Sequence, residues 1–440
     1  MSDRNYSQSS APWPAPQATG PLQAVVNVPG SKSLTNRELV LSALASGPSR
    51  LLNPLSSRDS ELMRAALKSL GVLSRDSISD GTDTIDILPM TLTGNATLDC
   101  GLAGTVMRFV PPIAALADGD VTFDGDEGAR RRPMATTIDS LRKLGVEVTD
   151  DSRGSLPFTV HGTGSIRGGD IEIDASASSQ FVSGLLLAAP RFTEGLTLRH
   201  TGAHLPSLPH IEMTIECLRR RGVTVTQPEY GVWRVEPGPI QGAEIEIEPD
   251  LSNAAPFLCA AIVVGGRVTV PGWPTSTTQV GADLATYLTA FGARVTLGDD
   301  GLTVDGGVGL VGGGSIPGAN LDLSTGGELA PPLVALAALA STPSEFRGIA
   351  HLRGHETDRL AALVAEINRL GGRATELDDG IRVEPAPLHG GAWRTYHDHR
   401  MATAGALIGL AVSGVEIENV ETTAKTLPNF TSMWTEMLNS

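Results

Sequence analysis

One kind of segment occurs six times in this 440-residue chain: an extended apolar run, a polar corner rich in Ser, Asp and Gly, then an Ala/Leu-rich helix. Its copies are AVVNVPGSKSLTNRELVLSALASG, ATLDCGLAGTVMRFVPPIAALADG, IEIDASASSQFVSGLLLAAPR, IEIEPDLSNAAPFLCAAIVVGG, LDLSTGGELAPPLVALAALAS and TYHDHRMATAGALIGLAVSG. A second kind alternates with it, an amphipathic helix that stops at glycine and usually enters a strand, as in RDSELMRAALKSLGV and ATTIDSLRKLGVEVT; its last copy, FTSMWTEMLNS, is truncated. The stops at Gly71, Gly145, Gly222, Gly292 and Gly371 recur roughly every 70–80 residues, a modular period. Glycine suits them because the residue after a helix often takes the left-handed conformation. Ordinary alternating α/β structure would not keep both helix types in one order throughout.

The pattern predicts an α/β fold of two similar domains, each of three βαβαββ units. The Ala/Leu-rich helices are apolar nearly all round and should be buried, while the amphipathic ones should be partly exposed. The chain is too long for one ordinary core. We expect one domain over residues 30–249 and another over 21–29 with 250–440, preceded by a disordered tail over 1–20. That tail has no hydrophobic signal core, so no signal peptide is read there.

A net charge of −16 and few aromatics argue against nucleic-acid or anionic-membrane partners. No apolar run reaches the length of a membrane span. Cys100, Cys217 and Cys259 show no metal or redox spacing and read as buried thiols, so a reducing cytoplasm is expected.

If the units are related by rotation, their corners converge, and the corner contents become a census of the site. The first corner offers Lys32, Ser33 and Arg37 at or near a helix start, with Ser31 or Ser33 as N-cap. A helix N-terminus disfavours cations unless an anion lies there too. The second offers Gly104, Thr105 and Arg108, and the third Ser178, Ser179 and Gln180. The fourth is neutral apart from Asp250, the fifth holds Glu328, and the sixth holds His397, Asp398, His399 and Arg400. Neighbouring loops add Arg130, Arg131, Arg132, His355, Glu356, Arg359 and Lys425. Each has a plainer reading: Ser178 and Ser179 as helix caps, Glu356 with Arg359 as an i,i+3 helix pair, and Arg130–Arg132 as a solvated run. Together they form an anion-binding inventory with two acids, without a Walker loop or a carboxylate cluster suited to Mg²⁺.

The segments PGSKSLTNR, LAGTVMRF, RGHETDRL and TYHDHRMA closely resemble, in order, the signatures of the 5-enolpyruvylshikimate-3-phosphate synthase family of enolpyruvyl transferases. The resemblance covers nearly the whole chain after the tail. It implies two domains of three units that close on substrate. It also implies enolpyruvyl transfer from phosphoenolpyruvate to the 5-hydroxyl of shikimate 3-phosphate, with no metal or organic cofactor and glyphosate as inhibitor. By the same resemblance Lys32, Ser33, Arg37, Ser178, Ser179, Gln180, Ser207, Glu328 and His355 would bind shikimate 3-phosphate. Lys32, Gly104, Arg132, Gln180, Arg359, Arg400 and Lys425 would bind phosphoenolpyruvate. Glu328 would accept the hydroxyl proton, and Glu356 or Lys32 would protonate the enol methylene. A monomer is expected.

Departures from the family pattern are Leu102 for Asn, Phe109 for Pro, His210 for an aromatic, Glu328 for Asp and His355 for Lys. They bear on surrounding contacts and inhibitor sensitivity. The nearest alternative is UDP-N-acetylglucosamine enolpyruvyl transferase, but Lys32 is followed by Ser33 where that family usually has Asn, and VTFDGDEGARRRPM lacks its loop cysteine. An alternative of another class is a non-catalytic phosphate-binding protein of this fold. The acids Glu328 and Glu356 argue against it, because a mere binder gains nothing from carboxylates beside anions.

Overall fold

A computed structural model describes residues 11–79 and 81–440. The helices come in pairs, an enclosed one and then a partly exposed one. They are α1 (Lys32–Leu44) and α2 (Arg58–Ser69), then α3 (Gly104–Ala114), a single turn α4 (Glu127–Arg130) and α5 (Ala135–Lys143). There follow α6 (Gln180–Ala188) and α7 (Leu208–Arg220), α8 (Leu251–Val264) and α9 (Leu284–Ala290), α10 (Ala330–Ala338) and α11 (Arg359–Arg369), and α12 (His399–Gly409) and α13 (Phe430–Leu438). Every residue of α3, α8 and α10 is buried. Small side chains let these helices pack closely. A Cβ on Gly184 of α6 would lie 2.2 Å from the Arg108 carbonyl oxygen of α3, so only hydrogen fits there.

Five sheets follow one rule: the strand entering a corner runs parallel to the strand that leaves the enclosed helix, and two more strands add antiparallel. In the second unit Ala96–Asp99 lies parallel to Asp118–Asp124, with Ala96 opposite Val121, and Phe158–Thr163 and Glu147–Thr149 follow antiparallel. A parallel pair needs a crossover and an antiparallel pair only a hairpin, so each unit reads βαβαββ.

Two strands pair away from their own corner. Leu22–Val25, before the first corner, lies parallel to Gly266–Val270, while Glu244–Glu246, before the fourth, lies parallel to Ser49–Leu52. The chain divides into a central unit, Pro29–Pro249, and a terminal unit of the residues up to Val28 with Asp250–Ser440. Each has its own apolar core. Where the chain passes from one to the other, Gly30 pairs with Pro249 and the Ser31 N–H donates to the Glu248 carbonyl at 2.8 Å.

The expected disordered tail needs correction over residues 11–20; its first ten residues lie outside the described ones. Trp13–Pro14 forms a short strand antiparallel to Val415–Ile417, completing a sixth sheet whose third strand among the described residues is Gly391–Trp393. The cause is apolar. Trp13 meets the Phe430 ring edge-on at 6.1 Å, and Ala15 packs into the terminal core. Among the described residues the truncated sixth unit lacks the antiparallel strands of the others, and the segment at Trp13–Pro14 pairs at that edge. Among the described residues no helix is long and apolar enough to cross a membrane.

Candidate active site

In the central unit the first three corners meet. Ser31 caps α1, accepting from the Leu34 N–H, which makes Lys32 the first helical residue. The Lys32 ammonium lies 3.7 Å from the buried Asp59 carboxylate. The Asn36 amide donates to the Thr105 hydroxyl at 2.7 Å, joining the first corner to the second.

Gly104 opens α3. A Cβ there would lie 3.1 Å from Gln180 Oε1 and 3.2 Å from a terminal nitrogen of both Arg108 and Arg132. The bare glycine face therefore leaves room for about one atom, ringed by two guanidiniums and an amide. Gln180 Oε1 and Arg132 Nε are both buried without a hydrogen-bond partner among the described residues. Buried polar atoms normally have partners, so unmet ones mark a place for a ligand or water. A half-turn of the Gln180 amide would aim its NH₂ donors into the same space.

Arg37 is 1% exposed. It donates to the Ser33 carbonyl at 2.9 Å, Thr214 Oγ1 at 2.8 Å and the His210 carbonyl at 2.9 Å. These bonds hold Ser33 against the start of α7. Ser207 precedes that helix with φ +52°, a left-handed geometry that is strained for serine. Ser178 Oγ accepts from the Gln180 N–H at 3.2 Å, and so acts as a local cap in the third corner. The arginine run divides. Arg130 pairs with Asp124 and Arg131 with Glu127 at the surface, while Arg132 turns inward and donates to the Leu102 carbonyl at 3.3 Å.

In the terminal unit the other three corners meet. Arg359, 1% exposed, opens α11 and grips Asp398 through Nε at 2.7 Å and Nη2 at 3.2 Å. Its Nη2 also donates to Glu356 at 2.8 Å, and Lys425 donates to the other Glu356 oxygen. Arg400, the second residue of α12, donates to Glu328 at 2.9 Å and Ser252 Oγ at 2.9 Å. Ser252 in turn donates to Asp250 at 2.7 Å. Lys32, Arg359 and Arg400 all stand in the first turn of a helix, the end that favours anions. Glu356 is not on the helical face with Arg359 as expected. Asp358 caps α11, so Glu356 lies in the loop before it and reaches Arg359 from outside.

Burial, and then the neighbouring Arg359, hold the His355 pKa well below its ordinary 6.5. Arg359 Nη1 lies 3.2 Å from His355 Nδ1. A guanidinium only donates, so Nδ1 accepts and the ring is neutral with its proton on Nε2. Because the folded pKa is depressed, this ring stabilises the fold above about pH 6.5 and loses that contribution as pH falls toward the folded value. Melting temperature should fall on acidification from about pH 8 to about pH 5, and less steeply in His355→Gln. Parallel curves would show that His355 does not titrate with folding. Arg359 is shifted up, since Asp398 and Glu356 outweigh its burial.

The sequence reading left Asp398 without a role and did not single out Ser252 or Asp59. Asp398 and Ser252 lie in corners already marked, but neither their chemistry nor their spacing announces an arginine partner.

The family profile described as EPSP synthase (3-phosphoshikimate 1-carboxyvinyltransferase) matches residues 16–434. A curated 3-phosphoshikimate 1-carboxyvinyltransferase from Kocuria rhizophila is 55% identical over 436 residues, covering 97% of both chains. Among solved structures, an EPSP synthase from Acinetobacter baumannii superposes with TM-score 0.79 at 24% identity, covering 97% of each chain. The enolpyruvyl transferase NikO from Streptomyces tendae superposes with TM-score 0.73 at 18% identity, covering 96% of each. These two establish likeness of fold.

Proposed function

The chain belongs to the EPSP synthase family, and on that premise we propose how its residues carry the reaction. The reaction is transfer of the enolpyruvyl group of phosphoenolpyruvate to the 5-hydroxyl of shikimate 3-phosphate with release of phosphate, within the shikimate pathway of aromatic amino-acid biosynthesis. The observation that carries it is the 55% identity with the Kocuria rhizophila transferase over nearly the whole of both chains.

Phosphoenolpyruvate presents a phosphate and a carboxylate close together. Protonation at C3 leaves a cationic C2, which the 5-hydroxyl attacks to give a tetrahedral intermediate; loss of a proton and of phosphate completes the transfer. Cations must hold both anions, exclude water and stabilise the departing phosphate. We assign phosphoenolpyruvate to Lys32, Gly104, Gln180, Arg132, Arg359, Arg400 and Lys425. We assign shikimate 3-phosphate to Lys32, Ser33, Ser178, Ser179, Gln180, Ser207, Glu328 and His355, with Arg37 also acting by orienting Ser33. Glu328 takes the hydroxyl proton, and Glu356 or Lys32 protonates C3. The three free, buried cysteines fit a reducing cytoplasm, and the net charge of −16 fits a protein without nucleic-acid or membrane partners; we take it to act as a monomer, which sedimentation would check.

Phosphate release should require phosphoenolpyruvate together with shikimate 3-phosphate. Release with UDP-N-acetylglucosamine instead, or with neither acceptor, would overturn the reading.

We also place glyphosate beside Gly104. Gly104→Ala brings in a better helix former at a position without positive φ, and flexible side-chain ends border the new methyl. Folding should be nearly unaffected. A tight methyl contact is worth roughly 1–3 kcal/mol, so glyphosate, the longer ligand, should weaken by about tenfold or more and phosphoenolpyruvate by less. Equal losses, or none, would remove Gly104 from the site.

A further inference from the structure

Two consecutive residues of the sixth corner, Tyr396 (φ +54°) and His397 (φ +58°), take the left-handed conformation that non-glycine residues avoid. Such geometry persists only where surrounding bonds impose it. A turn bond from the Asp398 N–H to the Thr395 carbonyl at 2.9 Å closes over these two residues, Asn419 Nδ2 lies 3.2 Å from His397 Nδ1, and further bonds come from Glu366 of α11, a fully buried carboxylate. Its Oε1 accepts from the Tyr396 hydroxyl at 2.6 Å, and its Oε2 accepts from the Arg394 N–H at 3.0 Å. Arg369 donates to both oxygens, at 3.2 and 3.0 Å, so the buried charge is met. Partial desolvation, and then the hydrogen bond to Glu366, push the phenol of the exposed Tyr396 above its ordinary pKa, so it stays a donor.

Arg359 and Glu366 are seven residues apart and lie on one face of α11. The sixth corner is therefore pinned to that helix twice, by Asp398 on Arg359 and by Tyr396 and Arg394 on Glu366. Just beyond the Asp398 pin stands Arg400, whose N–H donates to Asp398 at 2.9 Å.

We propose that Glu366 and Tyr396 are positioning residues for phosphoenolpyruvate, holding the strained corner so that Asp398 aligns Arg359 and presents Arg400. This rests on the assignment of Arg359 and Arg400 to that substrate. Without the hydroxyl bond the corner keeps its turn bond and its Arg394 and Asp398 contacts but loses its link from the strained residues to α11, and both guanidiniums aim less firmly. The shikimate 3-phosphate residues of the central unit keep their own supports.

Tyr396→Phe removes one oxygen and keeps the ring. Losing a hydrogen bond to a charged group should raise KM for phosphoenolpyruvate by about tenfold, while KM for shikimate 3-phosphate stays within about twofold. Hydrogen exchange at the Asp398 and Arg400 amides should quicken. With wild-type turnover intact, an unchanged phosphoenolpyruvate KM, or an equal rise in both KM values, would overturn the proposal. If the wild type fails to turn over these substrates, the functional reading fails instead. The exchange measurement then decides the clamp alone, and unaltered protection in Tyr396→Phe overturns it.

Discussion

Lys32→Met is expected to lower turnover by about a thousandfold or more, as loss of a group stabilising developing charge does. The structure adds a control. Lys32 is ion-paired with Asp59, which is only 3% exposed, so methionine leaves that carboxylate short of a partner and should lower stability by about 1–3 kcal/mol. Adding Asp59→Asn removes the orphaned charge and should restore the melting temperature but not the rate. Recovery of activity in Lys32→Met with Asp59→Asn would mean that Lys32 serves only the fold. Wild-type-like activity in Lys32→Met alone would remove the first corner from the site.

Glu356→Gln and Glu328→Gln should each lower kcat by about 10²–10⁴-fold, the usual range for lost proton transfer, with shikimate 3-phosphate still bound. Glu356 accepts from Arg359 and Lys425, and Glu328 from Arg400. These cations are the ones assigned to phosphoenolpyruvate. Substrate and acid therefore compete for the same donors, and binding the substrate's anions releases Glu356 for proton transfer. Gln competes less well, so Glu356→Gln should bind phosphoenolpyruvate as tightly as wild type or more tightly. Rapid-quench trapping with deuterium exchange separates the acids. If Glu356 protonates C3, methylene exchange slows in Glu356→Gln. If Lys32 does, exchange survives there and vanishes in Lys32→Met. Near-normal kcat in both Gln variants would exclude both carboxylates.

The six-unit order was legible because two independent periodicities, the Ala/Leu-rich runs and the glycine stops, agree along the chain. The cation at the first helix start was legible because Lys32 follows a capping residue and contradicts the helix dipole; that Arg359 and Arg400 also stand in first helical turns depends on the caps Asp358 and Asp398, which the sequence reading does not mark as caps. What escaped depends on pairing at long range. Nothing in Glu244–Glu246 says that its partner is Ser49–Leu52, because short strands carry too few residues to specify a register. Three consecutive arginines carry no periodicity, so only packing separates the inward Arg132 from the solvated Arg130 and Arg131. Arg37 reads as a site cation from its motif; its bonds to Thr214 and the His210 carbonyl follow from where α7 begins, which a sequence does not disclose.

The strand at Trp13–Pro14 has a consequence for synthesis on the ribosome. Its partner, Val415–Ile417, is translated about 400 residues later. The central unit, by contrast, is one uninterrupted stretch, Pro29–Pro249, and all its strands pair within it. It can fold while the nascent chain still grows, whereas the leading segment must wait through the making of the whole remainder. A chain stalled before residue 415 would carry a finished central unit and an N-terminal arm with its tryptophan exposed, a ready site for chaperone capture.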